Sequence, residues 1–126
     1  MPFCAVPHNR YRGRPGHVRR SASGWRSLWS DIDKALRAAR SFHLVLADIA
    51  GNDRIHRIIE DLVDEVRRPH YLLPNVEGHI TSAGELRAHA LILGALRDGN
   101  GQRAAELVLE HLNEVAQTLV KGFAGV

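Results

Sequence analysis

SDIDKALRAARSFHLVLADIAG, residues 30–51, decides the fold. Ile32, Leu36, Ala39, His43, Leu46 and Ala50 recur along it at spacings of 4, 3, 4, 3 and 4, the period of one helix face. Ser30 with Asp33 three residues later has the form of a capping box, so a helix is expected to start there. Gly51 supplies the residue type that most easily closes a helix in the left-handed conformation. Downstream, Ile55, Ile58, Ile59, Leu62 and Val66 form a second stripe, from a cap at Asp53 to about Arg68, with Pro69 as its stop. Residues 69–80 carry Pro69, Pro74 and Gly78 and read as a connecting loop. Ser82 and Glu85 offer another capping box, ahead of Leu86, His89, Ala90, Leu93 and Leu96 on one face and Gly99 at the end. A further helix from about Gln102 to Lys121 turns Leu107, Val108, His111, Leu112, Val115 and Leu119 inward. Without strand alternation or an internal repeat, the expected fold is all-α, an antiparallel bundle of about four helices.

Upstream the composition changes. Residues 1–29 hold six arginines and no acid, so the remaining 97 residues carry 11 Lys+Arg against 14 Asp+Glu. The net charge of +3 therefore belongs to the first segment, and the body is mildly acidic, without the general footprint of a nucleic-acid-binding domain. Pro2, Pro7 and Pro15, interleaved with Gly13, Gly16 and Gly24, break any apolar period there. Two domains are expected: a flexible basic tail over 1–29 and a helical domain over 30–124. A secretory signal is excluded by the missing apolar stretch. The tail's composition also fits an organellar transit peptide or a nucleic-acid-binding arm; a solvated tail is the plainer reading. The single cysteine, Cys4, excludes an internal disulfide framework and a cysteine-based zinc ribbon. No apolar run reaches the roughly 18 residues that span a bilayer, so a cytoplasmic, membrane-free protein is expected.

Eight histidines make their placement informative. His8 and His17 fall in the tail, His70 and His79 in or beside the loop, and His56 among charged neighbours. His43, His89 and His111 each occupy the apolar stripe of a different helix. A lone inward histidine is ordinarily a hydrogen-bonded core residue. Three of them in one bundle cost several desolvations unless they converge on a shared metal or anion. Neutral imidazole is the commonest ligand of zinc-like ions, and three leave a coordination position open. Neither His-Glu-x-x-His nor paired Glu-x-x-His occurs, which excludes a zincin and a di-iron bundle.

Three segments in order resemble one known family. FHLVLADIAGNDRIHRIIEDL (42–62), RAHALILGALRDGNGQRA (87–104) and LEHLNEV (109–115) are similar to the C-terminal ligand-sensing domain, the FCD domain, of GntR-superfamily transcription regulators of the FadR subfamily. The resemblance covers about residues 30–121. It implies a divalent metal, zinc or nickel, held by an aspartate, a histidine one turn later and two further histidines. By position the histidines are His43, His89 and His111, whereas the aspartate position is Ala39. Water or an anionic ligand would complete a three-histidine shell. The resemblance also implies an effector that is a small organic acid, and a homodimer or a heterodimer with a full-length regulator. Residues 1–29 do not resemble the family's winged helix-turn-helix, and only the last four of its helices are evident. The chain is thus expected to be truncated, without specific DNA binding, and to expose apolar surface.

Arg40 and Arg87 flank two of the histidine-bearing turns and are candidates to hold the effector's carboxylate. A metal-dependent hydrolase would need a general base within reach of the open site. Asp48, Glu85 and Glu110 fall off the core stripes or at their edge, so the chain is not expected to be an enzyme. A third alternative is a non-sensing partner that heterodimerises with a full-length regulator.

Overall fold

The computed structural model describes residues 22–73 and 76–125. They form α1 (Ala22–Ile49), α2 (Asp53–Leu72), α3 (Glu77–Ile80), α4 (Ala83–Arg97) and α5 (Gly101–Ala124), with no strand among the described residues. The bundle is all-α, but its described residues form five helices and not about four. The stretch 69–80, expected to be loop, supplies both the end of α2 and the single turn α3. Pro69 does not stop α2: Leu73 N–H still reaches the Pro69 carbonyl at 2.9 Å, closing one more turn behind it.

At the other end, α1 begins well before Ser30, which lies inside the helix. Asp33 therefore caps nothing. It accepts from Arg37 Nε at 2.7 Å and from the Tyr71 hydroxyl at 3.0 Å, tying α1 to the end of α2. The first 21 residues of the expected tail lie outside the described residues.

Both long hairpins turn on the same Gly-Asn pair. Gly51 (φ 65°) and Gly99 (φ 69°) take the left-handed conformation that a side chain disfavours, ending α1 and α4. At Gly99 the motif is complete, with Gly99 N–H on the Leu96 carbonyl (3.0 Å) and Asn100 N–H on the Ala95 carbonyl (2.9 Å). The asparagine that follows starts the next helix. Asn52 Oδ1 accepts from Arg54 and Ile55 N–H at 3.1 Å, and Asn100 Oδ1 accepts from Arg103 N–H at 3.0 Å. The cap of α2 is thus Asn52, not Asp53.

The buried apolar residues form two clusters. Ile92, Ala95, Ala104 and Leu107 join α4 to α5, with Phe42 and Leu46 of α1 against them. Ile32, Leu36 and Ile80 join α1 to α3, with Tyr71 alongside. Helix α1 spans both clusters, and His43 lies within the segment, Phe42 to Leu46, that it gives to the first. The apolar stripe of α2 is largely uncovered: Ile55, Ile58, Leu62 and Val66 are 45%, 48%, 58% and 38% exposed. Helix α4 is rotated by one position from expectation. Leu86 and Leu93 are exposed, and Glu85, His89 and Ile92 face in. Leu112 is also exposed.

Candidate functional site

His43, His89 and His111 come from α1, α4 and α5 and meet beside the α4–α5 cluster, against Phe42. One ring nitrogen from each lies within 4.8 Å of the other two, which puts all three within about 3 Å of a common point. His89 Nε2 and His111 Nε2 are 3.2 Å apart. The His43 and His111 rings stack at 5.6 Å, while His89 stands edge-on to both and lies flat on Phe42 at 4.1 Å. Phe42 thereby fixes the plane of His89, and His111 is 3% exposed.

Burial sets the charge state. It is the first cause that pushes the His43 and His89 pKa down to about 4, and a charged His111 nearby would push both further. His111 is lowered as well, by burial and then by His79, against a weaker opposing pull from Glu114. The trio is neutral at physiological pH, the state in which imidazole binds metals.

The carboxylate nearest these rings is one the sequence reading set aside. Glu85 is 6% exposed, with Oε1 at 3.3 Å from His89 Nε2, and Oε2 at 3.7 Å from His111 Nδ1 and 3.8 Å from His79 Nε2. Burial, with Glu114 adding to it, raises its pKa to about 7. Ser82 Oγ does accept from Glu85 N–H at 3.1 Å, as in a capping box, but the acid's side chain turns into the core instead of back to the cap. The ground given for excluding a core carboxylate therefore fails.

His70 and His79 were also misplaced by that reading. His70 is 3% exposed on the last turn of α2, its Nδ1 bonded to the Val66 carbonyl at 2.9 Å. His70 Nε2, His79 Nδ1 and Arg67 Nε are buried without a hydrogen-bond partner. These three side chains, with His43, Glu85 and His111, line a cavity of about 360 Å³ whose walls are otherwise mostly apolar, from Leu36 and Ala39 to Val63 and Val115.

Of the two expected arginines, Arg40 lines this cavity, but its guanidinium is held by α2: Nε to Asp64 Oδ1 and Nη2 to Glu60 Oε1, both at 2.8 Å. Arg87 is exposed on α4 and is not part of the lining. No local pattern marks Arg67, because it sits a turn past Val63 among charges. His56, expected to be solvated, bonds Asp48 Oδ1 through Nδ1 at 2.7 Å across the first turn.

The helical bundle and its cavity are those of a ligand-binding module. The chain belongs to the FCD domain family, whose model matches residues 18–114, and the family match makes that module a sensing, regulatory one. No curated protein and no solved structure matches it. No helix among the described residues is long and apolar enough to cross a membrane.

Proposed function

We propose that the chain is the effector-binding and dimerisation domain of a GntR-type transcription regulator of the FadR subfamily, acting in the cytoplasm. In this reading His43, His89 and His111 hold a divalent ion, zinc or nickel, and the effector is a small organic acid. The observation that carries it is the convergence of three neutral imidazoles on one another, two of which, His43 and His111, line the cavity. Their donor chemistry fits such an ion: the 3.2 Å between His89 Nε2 and His111 Nε2 is close to the edge of about 3.4 Å in a tetrahedron with metal–nitrogen bonds near 2.1 Å. The remaining edges close by side-chain rotations of about an ångström.

When bound, the ion would supply a positive charge and an open position for a carboxylate. The chain's own residues would do the rest. The apolar walls exclude water around the acid's carbon skeleton. Arg67 Nε, and His79 Nδ1 in the tautomer that protonates it, can donate along the same cavity, whereas His70 Nε2 can only accept because Nδ1 gives its proton to the Val66 carbonyl. An entering acid would compete with Glu60 and Asp64 for Arg40. The uncovered stripe of α2 supports dimerisation, with a second copy or with a full-length regulator.

Calorimetric titration of the chelator-treated chain with zinc and with nickel tests the reading. The expected result is one site per chain, abolished in His89→Ala and in His111→Ala. Absence of binding to the unaltered chain, or binding by both variants equal to it, overturns the metal-centred reading.

A further inference from the structure

Helix α1 places Ala39 one turn before His43, and helix α4 places Glu85 one turn before His89. The geometry points to Glu85 as a direct ligand of the proposed ion: it supplies from α4 the anionic donor that Ala39 does not supply from α1. This rests on the metal-centred reading above and deepens it.

Three observations carry the inference. First, Glu85 is the buried carboxylate among the described residues, and its ion-pair partners within reach are histidines alone. An ionised carboxyl in that setting is costly unless a cation joins it. The neutral imidazoles around it are poor substitutes, whereas a divalent ion held by the same rings would satisfy it.

Second, one carboxylate oxygen stands at ligand distance from one ring, while the contact with His111 is through Nδ1 at 3.7 Å, so direct coordination requires the carboxylate to turn toward His111 Nε2. Around His89 Nε2, the His111 Nε2 lies at 3.2 Å and Glu85 Oε1 at 3.3 Å. Ligand atoms of a tetrahedral ion with bonds near 2.0–2.1 Å are separated by about 3.3–3.4 Å.

Third, Glu85 lies on the cavity side of α4. It lines the cavity with His43 and His111, so its carboxylate and the effector's would meet the ion from one space. Three imidazoles and one carboxylate would leave the ion a net single positive charge, and further coordination positions are available to ions that take more than four ligands. Glu85 thus tunes how strongly an anionic effector is drawn in.

The test compares the whole chain with Glu85→Gln, Ala39→Asp and the double variant, using zinc calorimetry and the visible spectrum of the cobalt(II) form. Glu85→Gln keeps the shape and removes the charge. It should melt at the same temperature as the metal-free parent or higher, since a buried unpaired charge is gone. Its zinc affinity should fall on the order of tenfold or more, because even outer-shell partners are worth 10–100-fold. Its cobalt spectrum should change, and Ala39→Asp in the same chain should restore much of the affinity. An unchanged affinity in Glu85→Gln overturns the inference and leaves the three-histidine reading intact. A lower affinity with an unchanged cobalt spectrum also overturns it, because the carboxylate then acts through hydrogen bonds. If the parent binds no metal, both fall.

Discussion

The α1–α2 and α4–α5 hairpins turn on the same two residues, Gly-Asn, and differ in what lies between their helices. Between α4 and α5 sit Ile92, Ala95, Ala104 and Leu107. The α1–α2 seam is laced with polar links: Arg40 to Glu60 and Asp64, Tyr71 to Asp33, His56 to Asp48. Apolar burial fixes a geometry through many contacts that water cannot replace. Exposed ion pairs contribute little each, because water and salt compete for both partners. The site divides along the same line. The α4–α5 hairpin brings His89, His111 and Glu85, and the α1–α2 hairpin brings His43 with Ala39 behind it. Most of the donor chemistry therefore stands on the rigid half, and the half with the polar seam closes over it.

Acid should break that arrangement most strongly, because the histidines lie where the hairpins meet. In the metal-free chain His43 and His89 have folded pKa values of about 4 against an ordinary 6.5, and His70, His79 and His111 are also lowered. A depressed folded value means that the unfolded chain binds more protons between the two values. Stability is then full above pH 6.5 and drains away as pH falls toward 4. Glu85 has the opposite sign: raised from 4.5 to about 7, it favours the folded state below 4.5 and withdraws that contribution as pH climbs through 7. The histidines outnumber it, so the net loss on acidification should be on the order of 3 kcal/mol. Thermal melts with chelator from pH 7 to 4.5 measure it. A flat melting temperature over that window would show that the imidazoles are not buried neutral.

Giving α1 the acid it lacks sharpens the comparison. Ala39→Asp in the otherwise unaltered chain should raise zinc or nickel affinity, by roughly tenfold at most where Glu85 already supplies a carboxylate. The gain in the Glu85→Gln background should be larger. Equal gains in both backgrounds would mean that the two helix positions do not compete for one role.

How much of this was legible follows from which signals are periodic. Helix class, the Gly-Asn turns and the shared inward bias of His43, His89 and His111 all come from spacing, and spacing is visible in a chain of letters. Glu85 was hidden by a second meaning: three residues after Ser82, an acid reads as half of a capping box, and the box's backbone half is present. The face of α4 was misread for the same reason. Leu86 and Leu93 keep helical spacing as well as Glu85 and Ile92 do, and only the tertiary packing chooses between them. Pro69 misled because a proline inside a helix is tolerated when the turn behind it still closes. The stripe of α2 was legible as apolar, and exposed apolar surface was expected from the family resemblance, although spacing alone does not say which stripe the chain leaves uncovered.

The two glycines offer a matched pair of a smaller size. Nothing lies within 4 Å of a Cβ built on Gly51 or Gly99, so alanine at either meets only backbone strain, about 1–2 kcal/mol. Gly51→Ala and Gly99→Ala should therefore lower stability alike in urea melts. Their effects on metal affinity should differ, with Gly99→Ala the weaker binder because it disturbs the turn joining His89 to His111. Equal losses of affinity would place the two hairpins on the same footing.

The smallest effect should come from salt. At about 1 M the screening length falls to about 3 Å, so exposed pairs lose most of their attraction while apolar contacts do not weaken. Arg40 raises the stakes on the α1–α2 seam, since one guanidinium serves both Glu60 and Asp64 at 2.8 Å. Its loss of grip would let α2 open locally, with its apolar stripe already in water and little further surface to expose. Hydrogen exchange followed by mass spectrometry should then show amides of α2 exchanging a few-fold faster in high salt, while those of α5 around Leu107 hold their rates or slow. Equal acceleration in both helices would mean that the hairpins open as one unit. Unchanged rates in α2 would assign its docking to Ile59, Val63 and Tyr71 and not to the ion pairs, and the contrast between a polar and an apolar seam would lose its energetic content.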